Sequence, residues 1–292
     1  MTFRGVGTAL VTPFKESGAL DEKALERFVD FQIEGGVNFL VPCGTTGENP
    51  ALTVEEHRRV VEIVIRRANG RVPVLAGAGS NSTDKAIELA LMAIDLGAAG
   101  ALTITPYYNK PTPDGLRRHF GMQAAAIEKK RKGFPMIMYN VPGRTGVNMT
   151  AETTIRIARE VPNVIGVKEA SANMEQILQI LRDRPEGFLV LSGDDAWTLA
   201  MLGVGADGVV SVASNEVPAL IRRMVDERSI EIQNRLLPLL TGNFIESNPG
   251  PVKAALKMMG ILESDTVRPP LAPMTEASRK KMQAILRECG LL

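Results

Sequence analysis

Lys168 carries the most pointed chemical signal in the chain, because VIGVKEA sets an ammonium within or at the end of an apolar, β-like run. Burial there strips hydration from the charged form and favours the neutral amine, which can attack a carbonyl and form a Schiff base. Two other readings stand beside that one: a local charge pair with Glu169, or a cation that holds a phosphate or carboxylate. Tyr139, one run earlier, has a phenol that can bond a substrate or pass a proton to the water leaving an imine, with Thr45 and Tyr108 as further links. A tyrosine at a strand end can equally be a rim packing group. GTTG at 44–47 offers the hydroxyls of Thr45 and Thr46, and backbone amides, to a small carboxylate such as that of an α-keto acid; its glycines also suit a simple turn. Arg144, in NVPGRTG, can grip a second carboxylate through two donors or lie free in solvent.

Something must bring these residues together, and the chain supplies a regular frame. Short β-like runs start at Val6, Val37, Val72, Ala101, Pro135, Val164, Phe188 and Ala206. The intervals leave room for a helix in most cases and little in the last. Eight such units are what a (β/α)8 TIM barrel requires. Asp21 can cap a helix with Leu25, Phe28, Val29 and Ile33 inward; Thr53 and Glu56 form a capping box before Val60, Val61 and Val64; Ile87, Ala90, Leu91 and Ile94 make a third stripe. After the eighth run only helices are expected: Pro218 to about Val225, a segment near Arg235–Thr241, Pro251–Met259, and Thr275–Cys289. The reading is a catalytic barrel over 1–215 and a C-terminal helical extension over 216–292. In such a barrel catalytic groups collect after the strands. Thr45, Thr46 and Glu48 follow strand two, Tyr107 and Tyr108 strand four, Tyr139, Asn140 and Arg144 strand five, Lys168 and Glu169 strand six, and Gly193 and Asp194 strand seven. All 3 tyrosines fall in that set, which packing alone does not predict.

Composition removes several function classes. The 292 residues carry 34 Lys plus Arg against 33 Asp plus Glu, so no surplus charge exists to grip nucleic acid. No apolar run approaches the ~18–20 residues needed to span a membrane. Cys43 and Cys289 are nearly the whole chain apart and read as packing residues. With no Arg- or Lys-led apolar stretch at the N-terminus, they point to a reducing, cytoplasmic setting. His57 and His119 are the only histidines and form no metal motif. GAGSN at 77–81 has neither a dinucleotide fingerprint nor the ending of a phosphate loop.

Taken together, GTTGE at 44–48, TPYYNKP at 105–111, YNVPGRTG at 139–146, VIGVKEA at 164–170, LSGDD at 191–195 and NPGPVK at 248–253 resemble the dihydrodipicolinate synthase (4-hydroxy-tetrahydrodipicolinate synthase) family over almost the entire chain. The resemblance implies that Lys168 forms an imine with pyruvate, whose enamine attacks L-aspartate 4-semialdehyde in diaminopimelate and lysine biosynthesis. No separate cofactor or metal is implied. Thr46, with Thr45, would hold the pyruvate carboxylate, the Val210 backbone would add a contact, and Arg144 would bind the semialdehyde carboxylate. Thr45, Tyr139 and Tyr108 would form a proton relay, with Tyr108 crossing from a neighbouring subunit. A homotetramer built from dimers is implied, with a homodimer as the fallback. Relatives that lysine inhibits strongly usually carry a histidine and a glutamate in an effector cleft, where this chain has Val54 and Lys85 beside Pro50. Deoxy sugar-acid aldolases and N-acetylneuraminate lyase share the lysine and tyrosine; Arg144 argues against the second. A non-catalytic metabolite-binding barrel would instead leave Lys168 unreactive and have no need of Tyr108 or Tyr139.

Overall fold

The computed structural model describes residues 3–292. All eight expected strands form: β1 (Gly5–Ala9), β2 (Phe39–Val41), β3 (Leu75–Gly77), β4 (Gly100–Ile104), β5 (Met136–Asn140), β6 (Val164–Glu169), β7 (Leu189–Ser192) and β8 (Gly208–Ser211). They pair in parallel in the order β2-β1-β8-β7-β6-β5-β4-β3. A parallel bridge between Leu40 and Val74 closes the ring, with the Leu40 N–H donating to the Pro73 carbonyl at 3.1 Å. β3 is shorter than the run from Val72 suggests, because Pro73 has no N–H to give to a ladder. The result is a (β/α)8 barrel.

Strand alternation sorts the apolar residues into two layers. Ile137 and Tyr139 of β5 join Phe39, Leu102, Leu191 and Val210 in an inner cluster, whereas Met136 and Met138 join the larger cluster under the helices. The covering helices are α1 (Glu22–Glu34), α2 (Val54–Ala68), α3 (Thr83–Asp95), α4 (Pro113–Lys130), α5 (Pro142–Thr145), α6 (Ala151–Glu160), α7 (Met174–Asp183) and α8 (Thr198–Gly203). Asp21 caps α1 through the Ala24 N–H at 3.0 Å, and Thr53 and Glu56 form the expected reciprocal box on α2. The single turn α5 was not anticipated. Pro142 suits its first position and Gly146, at φ 72°, ends it.

Beyond β8 come α9 (Pro218–Glu227), α10 (Ile230–Gly242), α11 (Gly250–Met258) and α12 (Glu276–Glu288). α9 packs on β1 and α8, while α12 packs on α10 and α11. Cys43 and Cys289 are both free and buried. Among the described residues no helix is long and apolar enough to cross a membrane.

Candidate active site

The β5–β6 register sets Tyr139 directly beside Lys168, and the same alternation turns their neighbours Asn140 and Glu169 the other way. Lys168 is 6% exposed and Tyr139 is 7% exposed. The lysine Nζ stands 4.1 Å from the centre of the tyrosine ring. Gly193, after β7, makes room for this amine: a Cβ there would lie 2.7 Å from Ala170 Cβ and 3.0 Å from Lys168 Cε. Burial holds the Lys168 amine down to about 7, reinforced by Arg144 and opposed by the carboxylate of Asp195. Burial wins, so a large share of this amine is neutral near pH 7, whereas an ordinary lysine is almost wholly charged.

Glu169 does not serve as a charge partner for Lys168. Its carboxylate accepts from Asn140 Nδ2 at 3.2 and 3.1 Å, from the Ser171 N–H at 2.7 Å and from Gln176 Nε2 at 3.3 Å. The lysine is therefore left packed on the Tyr139 ring, next to the cavity that Tyr139 lines but not itself part of its wall. Asp195 is a buried carboxylate that the sequence marked only as the last residue of LSGDD, with no role assigned to it. Its Oδ2 accepts from the Val212 and Ala213 N–H groups at 2.8 and 2.9 Å, which ties the loop after β7 to the end of β8.

A cavity of about 190 Å³ opens at this end of the barrel, with Thr45, Tyr107, Tyr139 and Arg144 in its wall. Burial pushes the Tyr139 phenol up to about 12, against the opposing influence of Arg144 and of Thr45 beside it. It therefore keeps its proton at neutral pH and can donate. Arg144 is exposed and reaches the cavity from α5. Thr46 is buried and is not part of the cavity wall; its Oγ1 accepts from Asn248 Nδ2 at 2.9 Å. Val210 is buried in the inner cluster on β8 and is not part of the cavity wall. Tyr108 does not join the others within one protomer. Its backbone takes φ 74° and its side chain is 88% exposed, thrown outward by the turn after β4.

Glu48 closes the GTTGE loop in a way its sequence position does not disclose. Its carboxylate meets buried Lys253 of α11 and accepts from the Arg268 N–H at 2.9 Å. The one available signal is a lysine on the apolar face of GPVKAALKM. A second cleft adjoins the first and shares Asn49, Pro50, Gly79 and Tyr107 with it; Val54, Arg58 and Lys85 lie on its far side.

Fold and site together define a class: a (β/α)8 barrel enzyme whose buried amine is equipped for imine chemistry. The profile of the dihydrodipicolinate synthetase family matches residues 2–289. A 4-hydroxy-tetrahydrodipicolinate synthase of Oleidesulfovibrio alaskensis is 51% identical, with 100% of each chain covered. Among solved structures, a chloride-inhibited dihydrodipicolinate synthase of Acinetobacter baumannii complexed with pyruvate superposes with a TM-score of 0.95 at 40% identity, covering 100% of both chains. A synthase variant described as the first monomeric one superposes at 0.94 with 43% identity, covering 99% of this chain and 98% of its own. The chain belongs to the dihydrodipicolinate synthetase family.

Proposed function

We propose that this chain has 4-hydroxy-tetrahydrodipicolinate synthase activity, condensing pyruvate with L-aspartate 4-semialdehyde in diaminopimelate and lysine biosynthesis, with Lys168 as the nucleophile. The neutral Nζ attacks the keto carbon of pyruvate, and loss of water gives an iminium ion. Removal of a methyl proton gives the enamine, whose carbon attacks the aldehyde and forms the new C–C bond. The amine of the semialdehyde then adds to the iminium carbon and expels Lys168 as a free amine. The product is (S)-4-hydroxy-2,3,4,5-tetrahydrodipicolinate, with one water released per turnover. The buried Lys168 amine, held near neutrality against the face of Tyr139, is the observation that carries this reading.

The remaining roles are those the family resemblance implies. Tyr139, with Thr45 beside it, hands protons to and from the departing oxygen. Thr45 and Thr46 take the pyruvate carboxylate, with the Val210 backbone beyond, and Arg144 at the cavity wall takes the carboxylate of the semialdehyde. Tyr108 completes the relay of a neighbouring protomer. Its left-handed backbone supports this, since a non-glycine residue is held there at a cost of ~1–3 kcal/mol and such strain gathers at functional sites. The assembly is then a homodimer at least, and a dimer of dimers in the full reading. The catalytic unit is the barrel of 1–215, braced by the helical extension of 216–292, acting in the cytoplasm without a separate cofactor.

A coupled substrate panel tests the assignment. Pyruvate with L-aspartate 4-semialdehyde should turn over at least 100-fold more efficiently than N-acetylneuraminate or any 2-keto-3-deoxy sugar acid is cleaved. Preferential cleavage of a sugar acid would move the chain to an aldolase.

A further inference from the structure

Thr46 stands on the barrel, but the group that fixes its hydroxyl comes from the other end of the chain. Asn248 is 5% exposed, and its Nδ2 donates to Thr46 Oγ1 at 2.9 Å. Among the described residues that is the only hydrogen bond of the amide, and its buried Oδ1 has no partner. A buried amide left half-satisfied is costly, so its retention calls for a reason beyond packing. A hydroxyl has one proton and two acceptor sites. When an amide N–H fills an acceptor site, the Thr46 proton stays free to be given to something else. Among the described residues that proton has no acceptor.

The loop carrying Thr46 is braced from the same direction. Cys43 and Glu48, at its two ends, both take left-handed backbone angles, φ 55° and 56°. Such strain persists only where the surroundings over-determine it. At Glu48 they do: Lys253, fully buried, meets the carboxylate, gives a second hydrogen bond to the Thr266 carbonyl at 2.8 Å, and sits 4.2 Å from the centre of the Phe14 ring. The Arg268 guanidinium lies 4.3 Å from the same ring and bonds the Ala51 carbonyl at 3.1 Å.

We propose that Asn248 is a positioning residue for pyruvate: by donating to Thr46 it leaves the threonine proton for the substrate carboxylate, on a loop that Glu48 and Lys253 hold in register. This rests on the reading of Lys168 as the pyruvate nucleophile. It makes a prediction that a structural role does not. Asn248→Asp is nearly isosteric, but it would accept the Thr46 proton and set a negative charge before the carboxylate. Asn248→Ala merely releases the hydroxyl.

Kinetics of the full-length protein decide, after thermal melting has shown each variant folded. The KM for pyruvate should rise about tenfold for Asn248→Ala and about 100-fold for Asn248→Asp, the range set by losing or opposing a hydrogen bond to a charged group. The KM for semialdehyde and kcat should stay within about threefold, as expected when ground-state binding of one substrate is lost. Thr46→Val approaches from the other side: it should raise the pyruvate KM about tenfold, and adding Asn248→Ala to it should cost nothing further. Equal effects of Ala and Asp, a parallel rise in both KM values, or additive losses in the double variant would overturn the proposal. Borohydride trapping of the parent protein separates the two layers. If pyruvate is trapped on Lys168 while Asn248→Asp leaves the pyruvate KM unmoved, the positioning role alone fails; if no Lys168 adduct forms, the underlying reading and the positioning role fail together.

Discussion

Keeping the Lys168 amine near neutrality costs the fold stability, and the sign of that cost is open to measurement. Its folded value of about 7 lies below the ordinary lysine value, so between the two the unfolded chain binds the extra proton. Stability contributed at this position therefore rises with pH from about 7 to about 10.5, and the full penalty is present below 7. Lys168→Met should abolish turnover yet unfold at higher urea than the parent at pH 6, by on the order of a few kcal/mol, with the gap closing towards pH 10. A variant less stable than the parent at pH 6 would show that the amine is not desolvated as described. The presence of an amine in an apolar run was legible in VIGVKEA, and so was the tyrosine one strand earlier. That Lys168 and Tyr139 stand side by side was not, because the pairing depends on register between strands 29 residues apart. Nor did adjacency in sequence separate Lys168 from Glu169; the pleat sends them to opposite faces, and only partners from distant segments show which stands against Tyr139.

At the scale of elements, the loop after β2 is held by a buried ion pair with the C-terminal helices. Removing one member of such a pair leaves an uncompensated charge, which costs more than the pair itself contributes. Lys253→Met should destabilise the protein by about 3 kcal/mol in urea unfolding, and Glu48→Gln added to it should recover a substantial part. Simple additivity of the two changes would mean that the ions are not coupled. Eight strands and the main helix caps could be read from hydrophobic runs and from Asp21, Thr53 and Glu56, because those signals are local. The Glu48–Lys253 and Thr46–Asn248 links could not, since each joins residues more than 200 positions apart. NPGPVK marked the segment without saying what it touches. The single turn α5, which presents Arg144, was hidden for another reason: Pro142 and Gly146 bracket too few residues to show a helical period.

For the molecule as a whole, we propose that the cleft adjoining the cavity sets the response to L-lysine. It carries two cations, Arg58 and Lys85, against one carboxylate, Glu88, and exposed Val54 stands at one of the places where strongly inhibited relatives are expected to have a histidine or a glutamate. An arriving lysine ammonium meets a lining with one more cation than anion. Initial rates across L-lysine concentrations, at fixed pH and ionic strength, should show weak inhibition or none; saturable inhibition below 1 mM would contradict this reading of the cleft. Borohydride reduction in the presence of pyruvate, followed by peptide mass spectrometry, reports on the covalent step itself. One reduced pyruvate adduct per chain is expected, on the peptide containing Lys168 and lost in Lys168→Met; an adduct found reproducibly on another lysine, or none at saturating pyruvate, would rule out Lys168 as the nucleophile.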